Sequence, residues 1–254
     1  MQEPEPSSKP TPPPASPASP PPPASPARRG IGAPRLSLRH LSLVGVLVAL
    51  VTVGAFTKPE QFLTADNLQL ILTQSSVIGV VTVGVTFVII GGGIDLSVGA
   101  IVALASVWAT TVATQDFGLG GMLLCAVAVG LGCGLVNGTL IAYGPMVPFI
   151  ATLAMLASAR GLALLISDGK TQVVTVQPVL DLGVSDSYVL GVPPLVLVFA
   201  AVAVLGWLVL GRTTFGRRTV AVGGNAEASR LAGIAVRRQR LLLYLLSGLC
   251  CGIA

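Results

Sequence analysis

Charged and aromatic residues are scarce in this chain. Asp, Glu, Lys and Arg make up 10% of its 254 residues and aromatic residues 5%, whereas hydrophobic residues make up 53%. Soluble globular domains carry about 25% charged residues, so the composition argues strongly against that class. Much of the remainder is aliphatic or small, including 30 glycines, which suits helices that pack closely in lipid. We therefore expect an integral membrane protein.

The residue types that support catalysis and metal binding are also sparse. The single histidine, His40, lies among arginines beside the first apolar run, and the apolar segments supply no carboxylate pair or Ser/His/Asp set. The cysteines lack CxxC spacing and lie within apolar runs, where cysteine packs as a small apolar residue. We expect no enzymatic activity in this chain, no cofactor and no metal site.

The N-terminal segment, residues 1–35, is rich in proline, alanine and serine. Such a composition buries too little apolar surface to fold. It predicts a disordered cytoplasmic tail, followed by a transmembrane domain at residues 36–254. A secretory signal cleaved near Ala55 is the alternative, although the apolar run at 41–56 is long for such a signal.

Apolar runs at 41–56, 68–90, 98–114, 119–142, 148–167, 190–210 and 241–254 fill the rest of the chain. Most are near the ~20 residues that a helix needs to cross a bilayer. The predicted fold is therefore all-α, a polytopic transmembrane helix bundle of about seven spans. The last run ends after 14 residues without a polar flank, which predicts a chain truncated inside a helix.

Charge in the connections predicts the orientation. Basic residues favour the cytoplasmic side of short loops, and the connection 211–240 carries seven arginines against one acid, Glu227. With the arginine-flanked N terminus in the cytoplasm, alternation of the spans places the acid-rich connections outside and the connection 211–240 inside. The net charge of +5 is thereby explained by orientation in lipid, and no nucleic-acid partner is expected.

The stretch GGGIDLS, residues 91–97, interrupts an apolar region with three glycines and one carboxylate. Glycine disfavours helix, and irregular backbone at membrane depth is tolerated only where protein or a water-filled cavity covers it. We predict a broken helix near residues 91–97. Asp95 is expected either to cap a helix that starts at Leu96 or to take a direct part in a translocation pathway.

Two further polar side chains lie within apolar runs. Asn137 lies within a segment that repeats glycine at every fourth residue, at Gly130, Gly134 and Gly138, which predicts close packing of two helices. The Asn137 amide is expected to bond another helix or to line a pathway. Arg160 is the only charge in its run and either extends to the outer surface or lines a pathway. The candidate pathway residues are Asp95, Ser97, Asn137 and Arg160.

Two polar connections carry local patterns. In NAEASRLAG, residues 225–233, Asn225 can cap a short amphipathic helix, Glu227 suits its positive first turn, and Gly233 can end it. This helix is either a surface element at the lipid interface or a docking element for a cytoplasmic partner. Alternation in TQVVTVQPV, residues 171–179, predicts a short strand on the outer side.

Four longer runs occur in a fixed order from about residue 65 onward: GGGIDLSVGAIVALAS, GLVNGTLIAY, VPFIATLAMLASARGLALL and GRRTVAVGGNAEASRLAGIAVRR. Together they resemble the permease subunits of bacterial ABC importers for ribose, xylose and related monosaccharides. The resemblance implies a subunit that translocates such a sugar across the cell inner membrane. It further implies a second permease subunit in a homodimer or heterodimer, a periplasmic sugar-binding protein and a cytoplasmic ABC ATPase subunit that hydrolyses ATP.

In such permeases a cytoplasmic coupling helix with an EAAxxxG pattern docks on the ATPase. Glu227, Ala228 and Gly233 match this spacing, with Ser229 in place of the second alanine. The resemblance thus implies that the ATPase-coupling residues are Gly224, Asn225, Glu227, Ala228 and Gly233. Family members continue through several more spans, so the resemblance also implies a chain truncated at its C terminus.

Other functions fit the hydropathy alone. A branched-chain amino acid-type ABC permease shares the coupling logic, although the motif at residues 91–99 argues against it. A nonproductive truncated membrane fragment and a secondary transporter, in which broken helices also occur, are the remaining alternatives.

Overall fold

The computed structural model describes residues 38–144, 146–183 and 192–254, and the described residues form twelve helices and no strand. The all-α prediction is confirmed for this part of the chain. Two compact units are distinguished, with their boundary between Val53 and Gly54. The predicted tail at residues 1–35 lies outside the described residues.

The first helix, α1 (Leu38–Thr57), carries the first apolar run. The others are α2 (Pro59–Phe62), α3 (Ala65–Ile90), α4 (Val98–Ala109), α5 (Val112–Gln115), α6 (Gly118–Ala142), α7 (Pro148–Ser167), α8 (Gln177–Gly183), α9 (Pro194–Arg212), α10 (Thr214–Gly224), α11 (Ala226–Leu231) and α12 (Val236–Ile253). Each predicted run contains a helix. Among the described helices, α3, α6, α7 and α9 are long and apolar enough to cross a membrane.

The predicted span at 98–114 is too long by five residues. Helix α4 ends at Ala109. Beyond it the hydroxyl of Thr110 bonds the Ser106 carbonyl at 2.9 Å, and that of Thr111 bonds the Trp108 carbonyl at 3.1 Å. Twelve residues rise only about 18 Å, which is less than the hydrocarbon thickness. Helix α4 is thus shorter than a full span, while four helices of the described ranges have spanning length. The count of about seven spans or part-spans stays a prediction.

Helices α6 and α12 form the tightest pair. A Cβ atom on Gly134 would lie 2.5 Å from the Tyr244 carbonyl oxygen, and one on Gly252 would lie 2.6 Å from that of Ala126, closer than real Cβ atoms come. Gly130 and Gly248 face each other in the same way. The glycine repeat of α6 thus packs against a second repeat on α12, which confirms the predicted close approach.

Two clusters of buried apolar side chains complete the core of the second unit. The larger joins α3, α6, α7 and α12 around Phe87, Ile141 and Leu243. The smaller joins α4 and α7 through Leu104, Ala159 and Ala163.

The predicted outer strand at residues 171–179 is wrong. Residues 171–176 have no regular structure, and α8 begins at Gln177. The side-chain amide of Gln115 accepts from the backbone N–H of Thr175 at 2.8 Å and donates to the carbonyl of Val173 at 2.9 Å. One glutamine thus occupies the position that a neighbouring strand would take.

Candidate functional site

The predicted helix break is confirmed at residues 91–97. Helix α3 ends where Gly91 donates to the Phe87 carbonyl at 3.0 Å and Gly93 donates to the Val88 carbonyl at 2.9 Å. Gly92 between them has φ of +78°, a left-handed conformation that side chains with a Cβ rarely adopt. The chain then stays non-helical until α4 begins at Val98.

Asp95 does not cap a helix that starts at Leu96, so that prediction is wrong. The residue before α4 is Ser97, and no side-chain cap is present. The Asp95 carboxylate instead accepts from the backbone N–H of Ser97 at 3.0 Å and from its hydroxyl at 2.6 Å. Asp95 folds back on its own turn in this way because a short polar side chain readily bonds backbone two residues onward.

Asp95 belongs to a buried polar group that we call the break cluster, formed by Asp95, Ser97, Asn137 and Ser247. The Ser247 hydroxyl donates to Asp95 at 2.9 Å, and the Asn137 amide donates to the Ser97 hydroxyl at 2.9 Å. Ser97 and Asn137 are fully enclosed, and Asp95 is 9% exposed. The cluster therefore bonds the break to α6 and α12, as buried polar groups in a membrane require.

The cluster contains one open hydrogen-bonding position among the described residues. The side-chain carbonyl oxygen of Asn137 is buried without a partner. Such an atom costs free energy unless it is satisfied, so it provides an acceptor next to the break.

Ser247 was missed by the sequence analysis. Its signal was a hydroxyl beside Gly248 within an apolar run, SGLCCG, which is weak because serine also occurs in membrane helices as a small packing residue. Its role depends on Asp95, 152 positions away in the chain.

Arg160 lies apart from the break cluster. It is exposed on α7, beside Ala159, which is buried against α4. No carboxylate among the described residues forms an ion pair with it. The structure thus brings together three of the four candidate pathway residues and leaves Arg160 on an open face.

Helix α10 lies directly on the break. A Cβ atom on Gly223 would overlap the Ile90 carbonyl, and one on Gly92 would lie 3.4 Å from the Gly223 Cα. The Tyr244 hydroxyl supports the break from α12 by donating to the Ile94 carbonyl at 3.0 Å. The break is thus held between α10 and α12.

Helix α10 is fixed to its neighbours at the other end as well. The Gln239 amide of α12 donates to the Phe215 carbonyl at 3.1 Å and to the Thr219 hydroxyl at 2.8 Å. The rings of Phe215 and Phe87, from α3, are centred 6.2 Å apart. These contacts join α10 to both α3 and α12.

The predicted caps of the short helix α11 are confirmed. The Asn225 side chain accepts from the Ala228 N–H at 2.9 Å. Gly233 has φ of +84° and donates to the Arg230 carbonyl, while the next N–H donates to the carbonyl of Ser229, the pair of bonds that ends many helices at glycine. Gly224, the last residue of α10, leads into Asn225 without an intervening loop.

The exposed face of α11 carries both charged and apolar side chains. Glu227 accepts from the Arg230 guanidinium at 2.6 Å, and both side chains are exposed. This hydrogen bond and the positive charge lower the pKa of Glu227, so the carboxylate is ionised at neutral pH. Leu231 is 76% exposed on the same short helix.

The chain matches one family model over residues 67–254, described as the permease component of the branched-chain amino acid transport system. Its relatives include the ribose import permease proteins RbsC of Bacillus subtilis (strain 168), 37% identical, and of Escherichia coli (strain K12), 35% identical. The L-arabinose ABC transporter permease protein AraH of Azospirillum brasilense is 37% identical.

These matches cover 82%, 85% and 91% of this chain, in that order, and 64%, 68% and 67% of the relatives. The chain thus spans about two thirds of the length of these relatives. Its share of the B. subtilis protein is slightly below two thirds. No solved structure matches it. With a family match over most of its length and four apolar helices of spanning length, the chain is a multi-pass membrane protein that belongs to the family of branched-chain amino acid transport system permease components.

Proposed function

We propose that this chain is the permease subunit of an ABC importer that moves a monosaccharide, ribose-like or xylose-like, across the cell inner membrane. The observation that carries the proposal is the identity of its relatives. The family description names branched-chain amino acids, yet relatives at 35–37% identity are named for ribose and L-arabinose. Sugar is therefore the better-supported substrate class.

The proposed orientation places the N terminus and residues 211–240 in the cytoplasm. Support comes from the arginine excess of that connection and from its fold, because α10 and α11 lie between the apolar helix α9 and the charged first turn of α12. A periplasmic sugar-binding protein would then meet the opposite side of the membrane.

The ABC ATPase is proposed to dock on α11. This helix is fixed at both ends by its caps and exposes Glu227, Ala228 and Leu231. A short rigid helix with a mixed charged and apolar face suits insertion into a groove on a partner. ATP hydrolysis takes place in that partner, and this chain contributes binding and movement.

Movement of α11 is proposed to favour one of two arrangements of the membrane helices. The contact between Gly223 and the break supports this route, because α10 continues directly into α11. The unpaired side-chain oxygen of Asn137 is the acceptor that a sugar hydroxyl would use when the break shifts. Ser97, itself bonded to Asp95, holds the Asn137 side chain in place. Arg160, on the open face of α7, is proposed to meet lipid or the second permease subunit.

The test of substrate class is uptake of labelled ribose, xylose, L-arabinose and leucine by cells that express the full-length protein with its ATPase and binding protein. We expect pentose uptake that stops when the ATPase is omitted. Leucine uptake without pentose uptake would establish the amino acid alternative. Uptake that persists without the ATPase would establish a secondary transporter.

The test of docking is copurification of the ATPase with Glu227→Lys and with a deletion of residues 225–233. Lys170→Glu is the matched control, because it reverses a charge in the other exposed ion pair of the described residues, with Asp168. We expect copurification and transport to fall for the α11 variants only. Unchanged association in both α11 variants would rule out docking at this helix.

A further inference from the structure

A pocket of about 210 Å³ lies between the start of α10 and the start of α12. Two arginines line it, Arg218 from α10 and Arg238 from α12, together with the hydroxyl-bearing Thr214. Phe215 and Leu242 give it an apolar part. The pocket is separate from the break cluster and from the exposed face of α11.

The two arginines have no anionic partner in the described part of the chain. None of the residues that line the pocket is acidic. The one acid of the connection, Glu227, is bonded to Arg230, and neither Arg218 nor Arg238 forms an ion pair with a described residue. Both arginines are exposed, so their guanidinium groups are accessible to an anion, and a guanidinium binds phosphate through bidentate hydrogen bonds.

The backbone adds to the positive character of the pocket. Thr214 is the first residue of α10, which is 11 residues long. The Thr213 hydroxyl accepts from the Gly216 N–H at 3.3 Å, while the first N–H groups of a helix have no intrahelical partner and carry the positive end of its dipole. An anion at the two arginines lies next to this end.

The position of the pocket matches the polar surface of a bilayer. Helix α9 ends at Arg212, where the apolar span stops. In α12 the arginines end at Arg240, and the apolar run begins at Leu241. The lining of the pocket thus combines two arginines with the apolar Leu242. Basic pockets at the cytoplasmic ends of membrane helices are suited to anionic lipid headgroups.

We propose that Arg218, Arg238 and the start of α10 form a phosphate-binding site, filled by the phosphodiester of an anionic phospholipid or by soluble phosphate. The assignment to the cytoplasmic leaflet rests on the orientation given under the proposed function. Because α10 also contacts the break, a bound lipid holds the coupling elements at a fixed height in the membrane.

The test compares lipid binding by the purified full-length protein in detergent, where no charged bilayer surface contributes. Native mass spectrometry measures the apparent affinity for phosphatidylglycerol and, as the zwitterionic reference, phosphatidylcholine with the same acyl chains. The pocket variant is Arg218→Gln with Arg238→Gln. The control is Arg217→Gln with Arg237→Gln, which removes the same charge from neighbouring exposed positions outside the pocket.

We expect the pocket variant to bind phosphatidylglycerol about tenfold more weakly or worse, because hydrogen bonds to a charged group contribute about that factor each. The control and the phosphatidylcholine affinity should stay unchanged. In a second arm, sodium phosphate is compared with sodium chloride at equal ionic strength. If phosphate raises the Tm of the wild type but not that of the pocket variant, while lipid affinities are equal, the source is soluble phosphate.

Two outcomes would overturn the site. Equal loss in the pocket variant and the control would show attraction to general surface charge. Unchanged lipid and phosphate binding with lost ATPase copurification would assign the arginines to the ATPase interface. None of these readouts measures transport. A negative sugar-uptake test would therefore not contradict the phosphate site, and loss of the phosphate site would not contradict the proposed importer.

Discussion

Replacement of Asp95 tests whether the break cluster holds the membrane helices together. Its carboxylate accepts three hydrogen bonds, from the N–H and hydroxyl of Ser97 and from the hydroxyl of Ser247, at 3.0, 2.6 and 2.9 Å. Asp95→Ala leaves these donors without an acceptor in a buried site. We expect a loss of several kcal/mol in the free energy of unfolding, because each buried donor left without an acceptor costs about 1–3 kcal/mol.

Asp95→Asn should cost far less. The asparagine keeps one oxygen for both donors of Ser97, and its new amide N–H can donate to the Ser247 oxygen when that hydroxyl turns around. The expected loss is about 1 kcal/mol, near the net value of one ordinary hydrogen bond. The difference between alanine and asparagine thus measures hydrogen bonding rather than side-chain volume.

A double-mutant cycle with Ser247→Ala isolates the link between the break and α12. In the wild type this change removes one bond to a carboxylate and should cost about 1.5–3 kcal/mol. In the Asp95→Ala background it removes a hydroxyl that has already lost its acceptor, so it should cost close to nothing. The coupling energy is therefore expected to approach the full cost of the single change.

The assay is equilibrium unfolding of the purified full-length protein in mixed micelles, with sugar uptake measured in parallel. Additive effects of Asp95→Ala and Ser247→Ala would refute the bond between these side chains. If Asp95→Asn is as unstable as Asp95→Ala, the negative charge itself is required. Normal stability with lost uptake in Asp95→Asn would instead give Asp95 a direct part in sugar translocation.

Three further changes probe other contacts. Gly134→Leu should force α6 and α12 apart and abolish a folded monodisperse peak in size-exclusion chromatography, whereas Gly132→Leu, which faces open space, should not. Asn225→Ala should cost about 1 kcal/mol of local stability, seen as faster hydrogen exchange in α11 but not in α12. Gly223→Val should separate α10 from the break, so that ATPase activity of the assembled importer persists while uptake is lost; Gly211→Val, at an open position of α9, should leave both unchanged.

Features that depend on neighbouring residues were predictable from the sequence. The end of α3 at the glycine triplet, the Asn225 cap and the Gly233 terminus all follow from backbone preferences within a few positions. The close packing of α6 was equally predictable, because spacing alone places Gly130 and Gly134 on one helix face. The helix that packs against α6 was not predictable, because tertiary packing determines which helix it is.

Features that depend on distant residues were not predictable. Asp95 at the start of an apolar segment suits a helix cap, and only the approach of Ser247 in the fold shows that its carboxylate bonds α12 instead. The alternation at residues 171–179 suits a strand, but no second strand of the described residues is there to pair with it. The side chain of Gln115, almost 60 positions earlier, satisfies that backbone.

The contacts around the break provide a route by which α11, the proposed docking helix, acts on the membrane helices of the proposed importer. Asn225 ends α10 and caps α11, so no loop separates the two helices. The end of α10 meets the break by backbone contact at Gly223, where any side chain would overlap the Ile90 carbonyl. Side chains at such a contact would change rotamer and absorb a displacement, whereas two backbones in contact transmit it. In the proposed importer, we therefore expect movement of α11 to displace the break and, through the hydrogen bonds of Asp95 and Ser97, to reach α12 and α6.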